Sequence, residues 1–413
     1  MNIQAVRGTK DLFGEDILKF NVVVELAKKY ATLYNYQEIE PPIIEFSNLF
    51  ERNLGDGSDV VMKELYKFKD RSDNDLALRP EFTAGIVRAV MLNQQLRESP
   101  MLKLFSYGAV FRYDRPQAGR QRQFHQINFE YYGNSSYYAE VDVLQLGYNL
   151  LKDFGLNNIT LEINSLGSKE ARENYEDALK QYFTKYINEL SDISKIRLEK
   201  NVLRILDSKE ESDKKLVKDV PDIKDFYTLD DKEFFANILN KLELLGIKYV
   251  VNKRLVRGLD YYNQTVFEFT TTDLGAQATV LGGGRYDNLM TSMGGKQTPA
   301  VGFGGGIERI MLLLNKQFSQ PRAIGIIPIS EKEVDYCLNL QKVLKGNGLN
   351  VELFFTGDKV KHMFNLANRF NCKTVITVGG EEVLNNNLTV KDLDSGEEIK
   401  IATDKVIKVL NNH

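Results

Sequence analysis

The sequence predicts an α+β sheet domain over 1–320, interrupted by a mostly helical insertion at about 168–245, followed by a small α/β domain with a mostly parallel sheet over 321–413. Three observations carry this. Aromatic and β-branched runs at 104–112, 124–132 and 265–271 read as strands. No glycine occurs between Ser168 and Leu245, a stretch rich in Lys, Glu, Asp and Leu that favours surface helices. After Pro321 the texture changes to short apolar strands alternating with helical stretches.

Taken in chain order, Pro80-Glu81 with Thr83 reads as a helix start, leading into a helix over 86–93. The two strands at 104–112 and 124–132 flank a polar loop containing Pro116 and Gly119. The lysine- and glutamate-rich block 168–245 is the helical insertion, with Pro221 its single proline. Gly282-Gly283-Gly284 and Gly304-Gly305-Gly306 read as glycine-dense turns, the second opening a helix at 307–314. Beyond Pro321, strand 323–329, helix 331–346, strand 351–355, a further helix and strand 374–378 give the strand–helix alternation of a parallel sheet.

Composition narrows the function. The 413 residues suffice for two or three domains at about 150 residues each. Apolar residues at 43% and charged residues at 27% give an ordinary globular balance, which excludes global disorder, collagen and coiled coil. No apolar run is long enough to span a membrane. The first residues lack an apolar signal core, so the expected location is the cytoplasm. Cys337 and Cys372 cannot make a disulfide framework, and His125, His362 and His413 do not cluster with them, so no metal site is expected. A net charge of −3 neither announces a nucleic-acid partner nor excludes one, since a local basic patch suffices.

The most informative stretch is 111–126. By period two, Phe105, Tyr107, Ala109 and Phe111 share one face of the first strand, and Ser106, Gly108, Val110 and Arg112 the other. On the second strand Ile127, Phe129 and Tyr131 oppose Phe124, Gln126, Asn128 and Glu130. One face is core; the other gathers an arginine, an amide, a carboxylate and an aromatic ring. Arg112, Arg115, Arg120 and Arg122 crowd the loop, and guanidiniums this dense repel unless an anion lies among them. A solvated hairpin tip is the alternative. Arg257, beside Gly258, Asp260, Tyr261 and Tyr262, needs an anionic partner, either Asp260 or a bound phosphate. Arg309 stands in the first turn of a helix, where anions rather than cations are favoured, and a polyphosphate would account for it.

No G-x-x-x-x-G-K-[ST] loop, protein-kinase set, or His-x-Gly-His or Lys-Met-Ser-Lys-Ser signature is present. With the residues above in hand, the chain resembles the histidyl-tRNA synthetase family, class II aminoacyl-tRNA synthetases. The resemblance runs from Arg7-Gly8-Thr9-Lys10-Asp11 through the dimer-motif-like 35–42, the ATP-loop-like 111–126 and the third class II motif at 302–309. Leu255-Val256-Arg257-Gly258-Leu259-Asp260-Tyr261-Tyr262 and Gly282-Gly283-Gly284-Arg285-Tyr286-Asp287 are similar to the histidine-specific segments.

The resemblance implies an α+β catalytic domain with a class II synthetase-like antiparallel sheet, a C-terminal anticodon-binding domain and a homodimer. It implies ATP as substrate with Mg2+, and L-histidine and tRNA-His as partners. Arg112 would hold the α-phosphate, with Arg257 opposite, where other class II enzymes place a metal ion. Arg309 would hold the γ-phosphate and Phe124 would stack on adenine. Glu81 and Thr83 would bind the amino group of histidine and Gln126 its carboxylate. Glu130 and Tyr262, with Tyr261 beside them, would hold the imidazole. The 168–245 insertion would clamp the tRNA acceptor arm. Asp114 stands where the family usually has glutamate, and Gln264 where arginine or lysine is commoner. A regulatory pseudo-synthetase, binding histidine or a partner enzyme without charging tRNA, is the rival; such paralogues typically lose phosphate-binding arginines or the C-terminal domain, and this chain retains both.

Overall fold

The computed structural model describes residues 3–55, 60–117, 119–275, 278–315, 318–355 and 359–411. Ala118 of the arginine loop and the C-terminal His413 lie outside the described residues. The chain divides into two compact units, Met1–Phe318 and Ser319–His413.

The first unit is built on an eight-stranded sheet. Its order is Gln37–Glu38, Leu102–Phe111, Gln123–Tyr132, Ala300–Gly306, Thr279–Arg285, Asn263–Thr270, Thr160–Ser165 and Tyr249–Val251. The six inner strands are antiparallel, and each edge strand joins in parallel. The hairpin register pairs Leu104 with Glu130, Ser106 with Asn128, Gly108 with Gln126 and Val110 with Phe124. The polar residues of both strands therefore share one face, because side chains alternate with period two. On the opposite face Phe105, Ile127, Phe129, Phe267, Phe269, Val301 and Phe303 are buried. They pack against helices Glu15–Leu33, Tyr138–Asp153, Leu229–Leu244 and Ile307–Leu313 through residues such as Val23, Ala27, Val143, Ile238 and Ile310. A sheet with one greasy covered face and one polar face puts its chemistry on the polar side.

Two features differ from the sequence expectation. The glycine runs are not turns: Gly282, Gly283 and Gly284 lie inside strand Thr279–Arg285, and Gly304, Gly305 and Gly306 end strand Ala300–Gly306. A Cβ on Gly282 would fall 2.6 Å from Nη1 of Arg257, and one on Gly302 would fall 2.5 Å from the Phe129 carbonyl and 2.8 Å from Cδ of Glu130. Glycine is required here by close approach, not by chain reversal. The helix after Pro80 starts at Thr83, earlier than its apolar period suggests, because the Glu81 carboxylate accepts from the amides of Thr83 (2.6 Å) and Ala84 (2.9 Å).

Residues 169–244 are helical but do not act as one body. Helices Lys169–Lys185 and Asp192–Lys200 share the site-side core with Phe82, Leu104 and Tyr262 through Tyr175, Leu179, Phe183 and Leu198. Helix Leu229–Leu244 instead packs on the far face of the sheet through Phe235, Ile238 and Leu242. Asp231 joins the two ends of the segment: it caps with Thr228 and also accepts from Ser168 through N (2.7 Å) and Oγ (2.9 Å).

The second unit has a five-stranded sheet in the order Val351–Leu353, Ile324–Pro328, Thr374–Val378, Asn387–Asp392, Glu398–Ala402. The first three strands are parallel, as expected, and each of the last two joins its neighbour in antiparallel fashion, so the sheet is mixed, with strand Asn387–Asp392 running against the other four. The extra hairpin turns at 394–396, where Asp392 Oδ1 accepts from the amides of Asp394 and Ser395 (2.8 Å each) and Gly396 has φ +77°. Helices Val334–Gly346 and Val360–Arg369 bury Cys337, Leu340 and Leu344, and Met363 and Ala367.

Candidate active site

The polar face of the large sheet opens into a cavity of about 490 Å³. Its wall brings together Arg112, Arg257 and Arg309, from three separate stretches of chain, with Phe124 and Gln126. Each guanidinium is fixed by its neighbours. Arg112 donates from Nε to the Pro80 carbonyl (2.9 Å). Arg309 donates from Nε to Gly119 O (3.1 Å) and from Nη1 to Thr279 O (2.8 Å). Arg257 pairs through Nη1 with Glu268. Asp260, the sequence-level candidate for that role, pairs with Arg204 instead. The Arg257 Nε is buried without a hydrogen-bond partner among the described residues. Arg120 lines the same cavity, and Asp114 there pairs with it at 3.0 Å. Arg122 lies outside the cavity lining, 3.9 Å over the Tyr113 ring, and Arg115 is exposed, so only Arg112 and Arg120 of the four loop arginines line the cavity.

The electrostatics favour an anion. Burial lowers the pKa of Arg112 against the raising effect of Glu64 and Glu81, with a smaller lowering from Arg120. Burial likewise lowers that of Arg309, with Arg120, Arg112 and Arg257 adding to the effect and Glu268 opposing it. Guanidiniums that depress one another are held together at a free-energy cost that a polyphosphate would relieve. For Arg257, burial opposes the charge, but Glu268 and the rings of Tyr262 and Tyr261 outweigh it and the pKa rises.

Farther along strand Gln123–Tyr132, a second cluster lies behind the cavity wall. Glu81, Thr83, Glu130, Tyr261 and Tyr262 are all buried. Glu130 is the hub. It accepts from Thr83 Oγ1 (2.7 Å), from Asn128 Nδ2 (3.3 Å) and from the Tyr286 hydroxyl. Burial is the main reason its pKa is pushed up to about 7, against these three donors, with Glu81 contributing repulsion. Burial also raises the pKa of Glu81. Tyr262 lies beside Tyr261 (ring centroids 4.6 Å) and 6.0 Å from the Arg257 guanidinium. The structure thus gathers the sequence candidates in two adjoining groups: Arg112, Arg257, Arg309, Phe124 and Gln126 at the cavity, and Glu81, Thr83, Glu130, Tyr261 and Tyr262 behind it.

A histidyl-tRNA synthetase family model matches residues 8–310, which contain every residue of both groups. The chain belongs to the histidyl-tRNA synthetase family. An anticodon-binding-domain model matches residues 323–413. The chain is similar to a histidine–tRNA ligase of Wolbachia pipientis subsp. Culex pipiens, 48% identical over 409 residues, covering 99% of this chain and 100% of that one. A histidine–tRNA ligase of Rickettsia bellii is 45% identical over 410 residues, 99% of this chain and 98% of the relative. Among solved structures, the apo histidyl-tRNA synthetase of S. aureus aligns with a TM-score of 0.83 at 30% identity over 99% of both chains.

Within this family fold, sequence reasoning missed two groups. Glu268 was legible in principle: it alternates with Phe267 and Phe269, so its strand has one acidic position on the polar face. Tyr286 sat in a recognised segment, but nothing local indicates that its hydroxyl reaches Glu130 across two strands.

Proposed function

We propose that the chain is an ATP-dependent histidine–tRNA ligase that works in two steps. In the first, a histidine carboxylate oxygen attacks the α-phosphorus of ATP, and the bond to the departing pyrophosphate breaks. In the second, a ribose hydroxyl at the 3′ end of tRNA-His attacks the histidyl carbonyl and AMP leaves. The convergence of three arginines on one cavity is the observation that carries this reading. In-line phosphoryl transfer needs positioning and charge stabilisation more than a protein base. Arg112 and Arg257 hold the α-phosphate and stabilise the charge that develops on it, and Arg309 holds the γ-phosphate. Phe124 stacks on adenine. Gln126 contacts the histidine carboxylate, and Glu81 and Thr83 the amino group.

Glu130 and Tyr262 bind the imidazole, with Tyr261 packed beside it. Side chains lacking both imidazole nitrogens are rejected because buried polar groups would be left unpaired. Among the described residues no group of three or more His, Cys, Asp or Glu side chains is placed to hold a metal ion. Mg2+ is expected with the nucleotide, where it neutralises phosphate charge.

The 323–413 unit reads the anticodon, and the helical insertion contacts the acceptor arm. The protein acts in the cytoplasm as a homodimer, supported by the exposed Ile43, Ile44 and Phe46 next to the class II dimer-like segment. No helix of the described residues is long and apolar enough to cross a membrane. The test is charging of total tRNA with labelled histidine. Histidyl-tRNA should accumulate on tRNA-His; folded protein that binds histidine without charging would transfer the assignment to the regulatory reading.

A further inference from the structure

The segment from Arg257 to Tyr262 carries a proposed phosphate ligand and two tyrosines of the histidine site, yet it lies in no helix or strand. A guanidinium on such a segment reaches a reacting phosphate reproducibly only if its backbone is held. The holding groups come from the helical insertion. Arg204, in the turn Val202–Ile205, donates from Nη2 to the Gly258 carbonyl and from Nε to Asp260 Oδ1 at 3.1 Å. Arg172, in helix Lys169–Lys185, donates from Nη1 to the Tyr262 carbonyl at 2.7 Å. Asp260 is itself seated by its amide, which donates to Leu54 O (3.3 Å), and by Gly55, where a Cβ would fall 2.7 Å from Cβ of Asp260. Leu255 and Val256 share one apolar cluster with Val202, Leu203, Ile205 and Leu206. Arg204 is buried, 8% exposed, and borders the same cavity as Arg257.

We infer that Arg204, with Arg172, is a positioning residue: the insertion grips the 257–262 segment at both ends and so sets the Arg257 guanidinium against the α-phosphate. A purely structural Arg204 would alter stability and leave turnover per folded molecule unchanged. A positioning Arg204 alters turnover through Arg257. The inference rests on the phosphate role given to Arg257 above.

The test is histidine-dependent ATP–pyrophosphate exchange by the full chain, comparing the unaltered protein with Arg204→Gln, Arg257→His, the double variant, and Asp260→Asn as a milder change that keeps the bond to Gly258. Arg204→Gln should lower the exchange kcat by roughly a hundredfold, the scale of a misplacement near 1 Å, with KM for ATP and histidine changed by less than about threefold. Asp260→Asn should shift kcat in the same direction by less. In the Arg257→His background the Arg204 change should lower kcat by less than about threefold, because both act through one group. Losses that multiply in the double variant, or an effect confined to KM, would overturn the inference. Unaltered kcat in Arg204→Gln and Asp260→Asn alongside an impaired Arg257→His would also overturn it, and would leave the function standing. An Arg257→His protein with full exchange would remove both this inference and the phosphate role. Should Arg204→Gln fail to fold, Asp260→Asn and Arg172→Gln decide by the same criteria.

Discussion

The imidazole role proposed for Glu130 makes it a point where specificity and stability meet, and Glu130→Gln tests both. The carboxyl is 1% exposed, and its pKa rises from 4.5 to about 7, chiefly through burial. At about 1.4 kcal/mol per pH unit, that rise corresponds to about 3 kcal/mol. Below pH 4.5 both folded and unfolded chains hold this proton, so it makes no difference to stability. Between 4.5 and about 7 the folded state keeps a proton that the unfolded state has released, so stability falls as pH rises and the loss is complete above about 7. A glutamine side chain at this position is isosteric with the carboxyl and carries no titrating proton, and it retains an oxygen to accept from Thr83 or Tyr286. The free energy of unfolding of Glu130→Gln minus that of the unaltered protein should therefore grow by about 2–3 kcal/mol from pH 5 to pH 8. Urea unfolding of both proteins across this range measures it, and the difference cancels Glu140, which is common to both and is not among the groups acting on Glu130. Histidine affinity at pH 7.5 should fall by roughly tenfold to a hundredfold, the value of a hydrogen bond to a charged group. Parallel stability curves would refute the burial argument, and histidine affinity within threefold of the unaltered protein would refute the recognition role.

Other expectations follow from the same geometry. Arg257→His should lower adenylate formation by about 3 kcal/mol while histidine binding changes little, as for loss of one transition-state donor; pre-steady-state adenylate formation checks it, and a change in KM alone would contradict it. Gly302→Ala would press a Cβ against the Phe129 carbonyl and Glu130, so it should destabilise by about 1–3 kcal/mol or more and weaken histidine binding, read by unfolding and titration calorimetry. Arg285→Met should destabilise by about 3–5 kcal/mol, because it strands the fully buried Glu140 that now accepts from Arg285 Nε (2.5 Å) and Nη2 (2.6 Å). Adding Glu140→Leu should recover most of that loss in the same unfolding assay. Tyr286→Phe removes one donor from Glu130 and should raise its pKa and weaken histidine binding by about 1–3 kcal/mol, measured by calorimetry against pH.

The parts of the molecule legible in sequence are those set by local period. The faces of strands Leu102–Phe111 and Gln123–Tyr132 followed from alternation alone, and the register places Glu130, Asn128 and Gln126 on the side they were assigned. The loop arginines followed only in part: Arg112 and Arg120 line the cavity, whereas Arg122 lies over the Tyr113 ring and Arg120 has Asp114 as a protein partner. The glycine strands did not follow, because a glycine run looks the same in a turn and in a strand that another chain segment must approach closely. Only the crossing of Arg257 and Glu130 over Gly282 and Gly302 distinguishes them. The protein partner of Arg257 did not follow for a related reason: Asp260, one of the two partners the sequence left open, is near in sequence, whereas Glu268 arrives by the sheet, from a strand beginning six residues beyond the arginine. In the second unit, the 387–402 hairpin alternates Leu388 and Val390 with polar residues and turns at Gly396, a signal overlooked beside the stronger strand–helix alternation before it.

The most direct test of the account is ATP–pyrophosphate exchange by the purified protein with each of the twenty amino acids in turn, without tRNA. The account predicts exchange with histidine alone. Exchange with another amino acid would contradict the roles of Glu130 and Tyr262, and silence with all twenty from folded protein that still binds histidine would contradict the catalytic reading of the three arginines.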